Sequence, residues 1–218
     1  MIYQRVIKPV LSFFVGLAAL PFVGLSILVF GPIIYFTDRG PVFYNADRVG
    51  KNGELFKMFK FRSMYVNAPD IRNADGSTYN GEDDPRVTKI GRFLRKTSID
   101  EWPQFLNLII GNMSFIGPRP DPPSDLEIYT EHQRKKLKVR PGITGYNQAY
   151  FRNSVEQNEK FEHDVYYAEH ISFWLDVKIF FKTIASVLKS DHIYNDASAP
   201  DAEAKDELEK IRTGDKHE

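Results

Sequence analysis

The 218-residue sequence contains no cysteine and carries no net charge, because 29 basic residues balance 29 acidic ones. The lack of cysteine excludes disulfides, a cysteine nucleophile and thiolate metal sites. A net charge of zero removes the electrostatic footprint of most nucleic-acid-binding proteins, so no nucleic acid is expected as a partner. The chain also has no charged residue between Pro9 and Thr37. Such a long uncharged run is typical of a segment that contacts a membrane.

The run from Val10 to Phe36 consists mainly of Val, Leu, Phe, Ile, Ala and Gly. A straight helix of this length would cover the hydrocarbon core, which needs about 20 apolar residues. Pro21, near the middle, removes one backbone hydrogen bond and predicts a bend. Basic residues flank both ends, which fits a re-entrant helix-break-helix hairpin with both ends cytoplasmic. We favour this hairpin over a spanning helix, which the sequence leaves open, and over a signal peptide, whose apolar region is shorter.

Changes in composition divide the chain into three parts. A membrane-inserted, re-entrant anchor is predicted over residues 1–37, a cytoplasmic domain over residues 38–190 and a polar, acidic tail over residues 191–218. The middle part is mildly basic, which suits an anionic substrate or an anionic membrane face.

Hydrophobic periodicity and turn signals predict an α+β domain that is mainly helical. The segment Gly40–Phe61 alternates short apolar pieces with turn signals and predicts a small β-hairpin, and residues 67–86 predict a loop. Helices are predicted over residues 87–96, 100–110, 126–137 and 161–188. The last of these carries an aromatic stripe. Core packing and an amphipathic interfacial helix in the headgroup layer both fit that stripe and stay open.

The most informative window surrounds the adjacent acids Asp100 and Glu101. Ser98 and Glu101 have the spacing of a capping box, so one interpretation is that the pair only opens a helix. Three neighbouring features favour chemistry instead: the helix N-terminus itself, Arg95 on a basic helix face, and Arg119 in a rigid Gly-Pro-Arg-Pro turn. Carboxylates, arginines and a helix terminus together indicate phosphoryl transfer with a divalent metal.

Five short motifs follow one another along the chain: Lys60-Phe61-Arg62-Ser63-Met64, Ser98–Gln104 with Asn107, Gly111–Pro120, Arg140–Gly145 and Asp164–Ala168. In this order they closely resemble the bacterial sugar transferase family, the monotopic phosphoglycosyl transferases. The resemblance spans about residues 1–190 and is strongest to the minimal, catalytic-domain-only members. Each motif alone is weak, whereas five in the family's order are specific.

The resemblance implies a reaction on the cytoplasmic face of the bacterial inner membrane, the first membrane step of glycoconjugate assembly. A sugar 1-phosphate would pass from a UDP-sugar to undecaprenyl phosphate, with Asp100 as the nucleophile and UMP as the leaving group. Adjacent helical side chains point about 100° apart, so Glu101 is expected to orient the substrate or help hold a metal. Both carboxylates are candidate ligands of Mg²⁺, the expected cofactor, which would neutralise the diphosphate.

The resemblance also implies a set of substrate-binding residues with basic or amide side chains: Lys60, Arg62, Arg95, Arg119, Arg140 and Gln148. By pattern alone, Lys60 and Arg62 fit an ordinary half-buried strand. The five histidines show no ligand spacing.

Two departures from the family pattern stand out: Leu20-Pro21 replaces a frequent Ser-Pro, and Tyr146-Asn147-Gln148 replaces the usual Trp-Ala-Gln. A non-catalytic, membrane-anchored scaffold of a glycan assembly complex is the alternative from another functional class. Contact with membrane phospholipid is expected. The sugar, the pathway and the presence of a homodimer stay open.

Overall fold

A computed structural model describes residues 2–73, 75–76, 78–152, 154–189, 205 and 208–211. Its helices, in chain order, are α1 (Lys8–Asp38), α2 (Lys89–Thr97), α3 (Phe105–Ile110), α4 (Tyr146–Tyr150), α5 (Gln157–Glu169) and α6 (Phe173–Lys189). Its strands are β1 (Ala46–Val49), β2 (Leu55–Met58), β3 (Ser114–Ile116) and β4 (Gly142–Thr144). Short 3-10 helices lie at Lys51–Gly53, Ile99–Gln104, Pro123–Leu126 and Gln133–Lys138. The mainly helical α+β architecture is therefore confirmed.

Helix α1 has 31 residues and follows one π-helical turn, Tyr3–Ile7. Together they are long and apolar enough to cross a membrane, judged by length and composition. Every residue from Lys8 to Asp38 is helical, including Pro21, so the interruption predicted at this proline is not seen. The helix ends at Arg39, whose backbone is left-handed with φ of 56°.

One stripe of α1 packs against the rest of the protein along the whole helix. The buried residues of this stripe are Lys8, Ser12, Gly16, Val23, Ser26, Gly31 and Ile34. Gly16 allows a close approach to α3, because a Cβ there would lie 2.9 Å from the carbonyl oxygen of Phe105. The remaining surface of α1 exposes large apolar side chains such as Phe22, Leu28 and Phe36. Helix α1 is therefore both part of the core and an apolar surface suited to lipid.

The apolar core joins α1 to the soluble elements. Ile34 of α1 packs with Phe61, just after β2, and with Leu94 of α2. Further towards the N-terminus, Val15 packs against a second buried cluster that includes Leu108 of α3. Burial of such side chains is the main favourable term in folding, so removing α1 would uncover part of the core.

The predicted β-hairpin is confirmed, since β1 and β2 pair antiparallel with Val49 opposite Leu55. The parallel pairing of β3 with β4 was not predicted. Both strands have only three residues, which is too short for a periodic signal. A Cβ on Gly142 would lie 2.1 Å from the backbone nitrogen of Gly117. Glycine is thus required for this close approach.

The predicted helices differ from the observed ones in extent. Helix 87–96 is confirmed as α2, but residues 126–137 form no single helix and contain parts of two 3-10 segments. The segment 161–188 is divided between α5 and α6, because Ser172 Oγ accepts a hydrogen bond from the backbone N–H of Leu175 (3.2 Å) and begins a new helix there.

The predicted helix 100–110 is also wrong in extent. Its first part is 3-10 and contains Pro103, which cannot donate a backbone hydrogen bond, whereas its second part is α3. Gly111 ends α3 with φ of 91°, as predicted. The acidic tail, residues 191–218, lies outside the described residues apart from residues 205 and 208–211.

Candidate active site

Asp100 and Glu101 lie in the 3-10 helix between α2 and α3. Ser98, just before it, has a left-handed backbone with φ of 57° and its side chain makes no capping hydrogen bond. The capping-box interpretation of Ser98 and Glu101 is therefore wrong. The left-handed residue instead turns the chain sharply between α2 and the acid pair.

Lys60 is brought to the acid pair by the segment that follows β2. Its neighbour Phe61 donates a backbone hydrogen bond to the carbonyl oxygen of Asp100 (2.9 Å). Asn107, fully buried on α3, accepts a hydrogen bond at Oδ1 from the backbone N–H of Phe59 (3.0 Å). A side-chain amide thus takes the place of a neighbouring strand and holds the backbone that carries Lys60.

The two carboxylates each have a cationic partner. Lys60 Nζ lies 2.7 Å from Asp100 Oδ2 and 3.7 Å from Glu101 Oε1. Arg119 Nη2 lies 2.8 Å from Glu101 Oε1. Asp100 is only 3% exposed, whereas the Arg119 side chain is 48% exposed. The structure therefore assembles a buried carboxylate beneath a guanidinium that reaches solvent.

The pKa values of the two carboxyl groups shift in opposite directions. Burial raises the pKa of Asp100, the charge of Glu101 acts in the same direction, and Lys60 opposes both. Burial also acts on Glu101, but Arg119 and Lys60 outweigh it and lower its pKa to about 2. Neighbouring acids with separated pKa values are suited to different roles. Glu101 stays ionised, and Asp100 is the more basic carboxylate.

Two further arginines lie near these groups, Arg95 near Asp100 and Arg48 near Arg119. Arg95 donates to Ser63 Oγ (2.9 Å) and Asn80 Oδ1 (3.0 Å), and its charge acts to lower the pKa of Asp100. The sequence did not single out Arg48 as a site residue. Burial and the nearby charge of Arg119 lower the Arg48 pKa. Arg48 lies near Arg119 because of how the β1–β2 hairpin packs on the rest of the protein, and a single sequence contains no signal for that packing.

Three predicted substrate-binding residues are not brought to the acid pair. Arg62 is buried and donates to Asp38 Oδ1 (2.6 Å), so it holds the end of α1. Gln148 Nε2, on α4, donates to the carbonyl oxygen of Ile143 in the preceding strand β4 (3.4 Å). Arg140 lines a cavity whose lining does not include the acid pair.

A buried ionic cluster near the site was missed. Lys136 Nζ lies 2.5 Å from Asp121 Oδ2 and 2.5 Å from Asp164 Oδ2, and Tyr129 donates its hydroxyl hydrogen to Asp121 (2.5 Å). Lys136 belongs to a basic run that indicates a solvent-exposed surface, yet it is 4% exposed. The only available signal was the position of Asp164 in one of the family motifs.

The acid pair is also the predicted metal site. Within the described part of the chain, no group of three or more His, Asp or Glu side chains is placed to hold a metal ion. Mg²⁺ is commonly bound by one or two carboxylates together with substrate phosphates. Asp100 and Glu101 fit an ion of that kind, whose other ligands would come from the diphosphate and water.

The fold and the site define a class of proteins in which an apolar N-terminal helix packs on an α+β body and an acid pair lies among cations. The sequence model described as bacterial sugar transferase matches residues 3–190, and the chain belongs to this family.

The galactosyl transferase CpsE of Streptococcus agalactiae is 43% identical over 159 residues, which are 69% of this chain and 35% of that protein. The undecaprenyl-phosphate galactose phosphotransferase of Salmonella typhimurium is 38% identical over 168 residues, 72% of this chain and 35% of that protein. The exopolysaccharide production protein ExoY of Sinorhizobium fredii is 40% identical over 197 residues, 84% and 87% of the two chains. The chain thus spans about a third of the first two relatives and most of the third.

Proposed function

We propose that this protein transfers a sugar 1-phosphate from a UDP-sugar to undecaprenyl phosphate through a covalent intermediate on Asp100. The observation that carries the proposal is the buried Asp100 carboxylate, 2.7 Å from Lys60 and next to the Glu101–Arg119 ion pair. The names of relatives support the substrates, because the Salmonella protein is an undecaprenyl-phosphate galactose phosphotransferase.

In the first half-reaction, an Asp100 oxygen attacks the β-phosphorus of the UDP-sugar. A carboxylate–phosphorus bond forms, the bridging P–O bond breaks, and UMP leaves with the electron pair. Lys60 and Arg119 are the cations that would meet the charge on the phosphoryl oxygens, which is the main requirement of such a transfer. In the second half-reaction, a phosphate oxygen of undecaprenyl phosphate attacks the same phosphorus and releases the Asp100 carboxylate.

Asp100 and Glu101 would hold Mg²⁺ against the diphosphate, as the sequence predicts. The ion would supply charge neutralisation for the approach of a carboxylate to a polyanion. Glu101 suits this role because its pKa is lowered to about 2, with burial opposing and Arg119 and Lys60 favouring the ionised form. Asp100 gains nucleophilic strength from the raised pKa that burial produces.

The reaction is tested with the purified full chain, Mg²⁺, undecaprenyl phosphate and separate UDP-sugars, starting with UDP-galactose and UDP-N-acetylgalactosamine. Those two are chosen because names of relatives contain galactose and N-acetylgalactosamine. We expect release of UMP with at least one donor. Absence of UMP with every donor, in protein shown to be folded, would favour the non-catalytic scaffold.

The covalent step is tested separately by isotope exchange. A phosphosugar on Asp100 requires labelled UMP to enter the UDP-sugar when no undecaprenyl phosphate is present. Release of UMP only when both substrates are bound would support direct transfer instead.

The re-entrant anchor is the second part of the proposal: α1 would bend at Pro21 inside the membrane while its residues stay helical. Contacts at both ends of α1 support this placement. Lys8 Nζ lies 2.6 Å from Asp176 on α6, and Asp38 at the other end bonds to Arg62. Between them, Ser12 Oγ accepts a hydrogen bond from the backbone N–H of Phe115 (3.0 Å). A helix of 31 residues is about 46 Å long and the hydrocarbon core is about 30 Å thick. If α1 crossed the bilayer, the polar contacts at one of its ends would have to pass to the other side of the membrane together with the elements they bind.

We therefore place both ends of α1 on the cytoplasmic side, where nucleotide sugars occur. The exposed aromatic residues Trp174 and Phe181 on α6, 71% and 64% exposed, fit contact with the headgroup layer. Single cysteines at Gln4 and Asn45 can be probed with a membrane-impermeant reagent, since the native chain has none. Labelling of both in inverted vesicles alone supports the proposal. Labelling at Gln4 in intact cells would show a spanning helix.

A further inference from the structure

The segment that follows β2 carries Lys60 between two parts of the protein. On one side, the backbone N–H of Tyr44 donates to the carbonyl oxygen of Lys60 (2.8 Å). On the other side, the backbone N–H of Phe61 donates to the carbonyl oxygen of Asp100 (2.9 Å). The main chain at Lys60 is therefore held by the residues before β1 and by the acid pair.

Asn107 of α3 makes two further contacts with this segment. Its Oδ1 accepts a hydrogen bond from the backbone N–H of Phe59 (3.0 Å), and its Nδ2 donates to the carbonyl oxygen of Lys57 (2.8 Å). Nδ2 also donates to Asn112 Oδ1 (3.1 Å). The backbone groups fix the orientation of the amide, because an N–H cannot accept a hydrogen bond and a carbonyl oxygen cannot donate one. Asn107 is fully buried, so water does not compete for these bonds.

Two hydrogen bonds thus join the elements that carry Asp100 and Lys60. The Asp100 carbonyl oxygen binds the residue after Lys60, and the Asn107 amide binds the residue before it. The Lys60 ammonium lies 2.7 Å from Asp100 Oδ2 at the end of a long, flexible stem. A backbone that is fixed on both sides of Lys60 limits the positions that this ammonium can reach.

We propose that Asn107 is a positioning residue for the transfer reaction. It acts on the rate by holding the Lys60 ammonium at Asp100, and its buried side chain does not touch substrate. This inference rests on the proposed function, in which Lys60 meets the charge on the phosphoryl oxygens. A displacement of about 1 Å at a reacting group can cost about a hundredfold in rate.

The contact is tested by hydrogen–deuterium exchange of the full chain in detergent, without substrate. In Asn107→Ala the N–H of Phe59 loses its acceptor, so we expect this amide to exchange at least about tenfold faster than in wild type. The matched control is Asn112→Ala, which removes one hydrogen bond of the same amide but keeps those to Phe59 and Lys57. Exchange in the control should match wild type. Unchanged exchange in Asn107→Ala, or equal acceleration in both variants, would overturn the proposal.

The effect on the rate is tested by UMP release in a double-mutant cycle of Asn107→Ala and Lys60→Gln. Alone, Asn107→Ala should lower kcat about 30-fold and change KM by less than about twofold, because the lost interaction acts in the transition state. Added to Lys60→Gln, it should cause no further loss, since no ammonium is left to position. A defect that only lowers the share of folded protein would multiply the two losses, and that result would overturn the proposal.

The same cycle separates this inference from the proposed function. Wild-type protein that releases no UMP would refute the transferase reaction, and with it the role of Asn107 in the rate. An active wild type with multiplied losses would refute the role of Asn107 alone. If Asn107→Ala does not fold, Asn107→Ser, which keeps a hydroxyl at this position, replaces it in both measurements with the same expected pattern.

Discussion

The acid pair and the buried cluster contain the same chemical groups in different surroundings. In the buried cluster, Lys136 is 4% exposed and lies 2.5 Å from both Asp121 and Asp164. At the acid pair, the side chains of Lys60 and Arg119 are 20% and 48% exposed. The Lys136 ammonium in the buried cluster therefore has little access to another anion. The cations at the acid pair, Lys60 and Arg119, can turn towards an incoming phosphate.

The difference shows how exposure separates stability from function. Removing one member of a buried ion pair leaves a charge without water or a partner, which typically costs about 3–5 kcal/mol. Breaking a partly exposed pair typically costs about 1 kcal/mol or less. Substitutions in the buried cluster should therefore unfold the protein, and substitutions at the acid pair should inactivate it.

The largest expected effect is that of Asp100→Asn on UMP release. Asparagine keeps the shape of the side chain but cannot form the carboxylate–phosphorus bond, so we expect a loss of at least about a thousandfold. The control Asp47→Asn changes the same charge in an exposed ion pair and should keep full activity. A rate above a tenth of wild type would remove Asp100 from the nucleophile role.

Lys136→Met should have the largest effect on stability. It leaves Asp121 and Asp164 buried without their cation, and we expect a loss of about 3–5 kcal/mol in the free energy of unfolding. Denaturant unfolding in detergent measures it. The adjacent Lys135→Met, which breaks an exposed pair with Glu169, should change stability by less than about 1 kcal/mol. Similar losses of stability in the two variants would contradict the distinction between buried and exposed ion pairs.

Lys60→Gln should show the opposite balance. It removes a cation next to both carboxylates, so we expect UMP release to fall about a hundredfold. The free energy of unfolding should fall less than in Lys136→Met, because Asp100, whose pKa burial already raises, can take up a proton and Glu101 keeps Arg119 as its partner. Lys57→Gln, three residues earlier and paired with Asp47, serves as the control and should leave the rate unchanged. A melting temperature lowered as far as in Lys136→Met would place Lys60 among the structural residues.

The smallest expected effect concerns how stability changes with pH. Asp125, near the buried cluster, and Glu101 should contribute to it with opposite signs. Burial, together with the charge of Asp121, raises the pKa of Asp125 to about 6. The folded protein then binds more protons than the unfolded chain between about pH 4 and 6, so this group lowers stability as pH rises through that window. Asp125→Asn should flatten the corresponding fall in melting temperature.

Glu101 should contribute in the opposite direction. Burial raises its pKa, but Arg119 and Lys60 prevail and lower it to about 2. Its contribution to stability is therefore present above about pH 4.5 and is lost as pH falls towards 2. Glu101→Gln should destabilise the protein at neutral pH, and the difference from wild type should vanish in acid. Parallel pH profiles for Asp125→Asn and Glu101→Gln would show that the two acids share one environment.

Much of the secondary structure of this protein could be predicted from its sequence alone, because the signals are local. The uncharged run that forms α1, the turn signals of the β1–β2 hairpin, the apolar spacing of α2 and the stop at Gly111 depend on residues close together in the chain. The same holds for the adjacency of Asp100 and Glu101, which needs no folding at all. Such features are readable because propensity and periodicity act over a few residues.

Only the tertiary structure decided which cations meet the acid pair. Lys60 and Arg119 reach it, whereas Arg62 holds the end of α1 and Arg140 lines another cavity. All four occur in motifs of similar appearance. Any lysine or arginine can pair with any carboxylate, so the order of charges along the sequence does not tell which cations will meet the acid pair. The path of the backbone, set by contacts such as the Asn107 amide and the parallel β3–β4 pair, selects it instead.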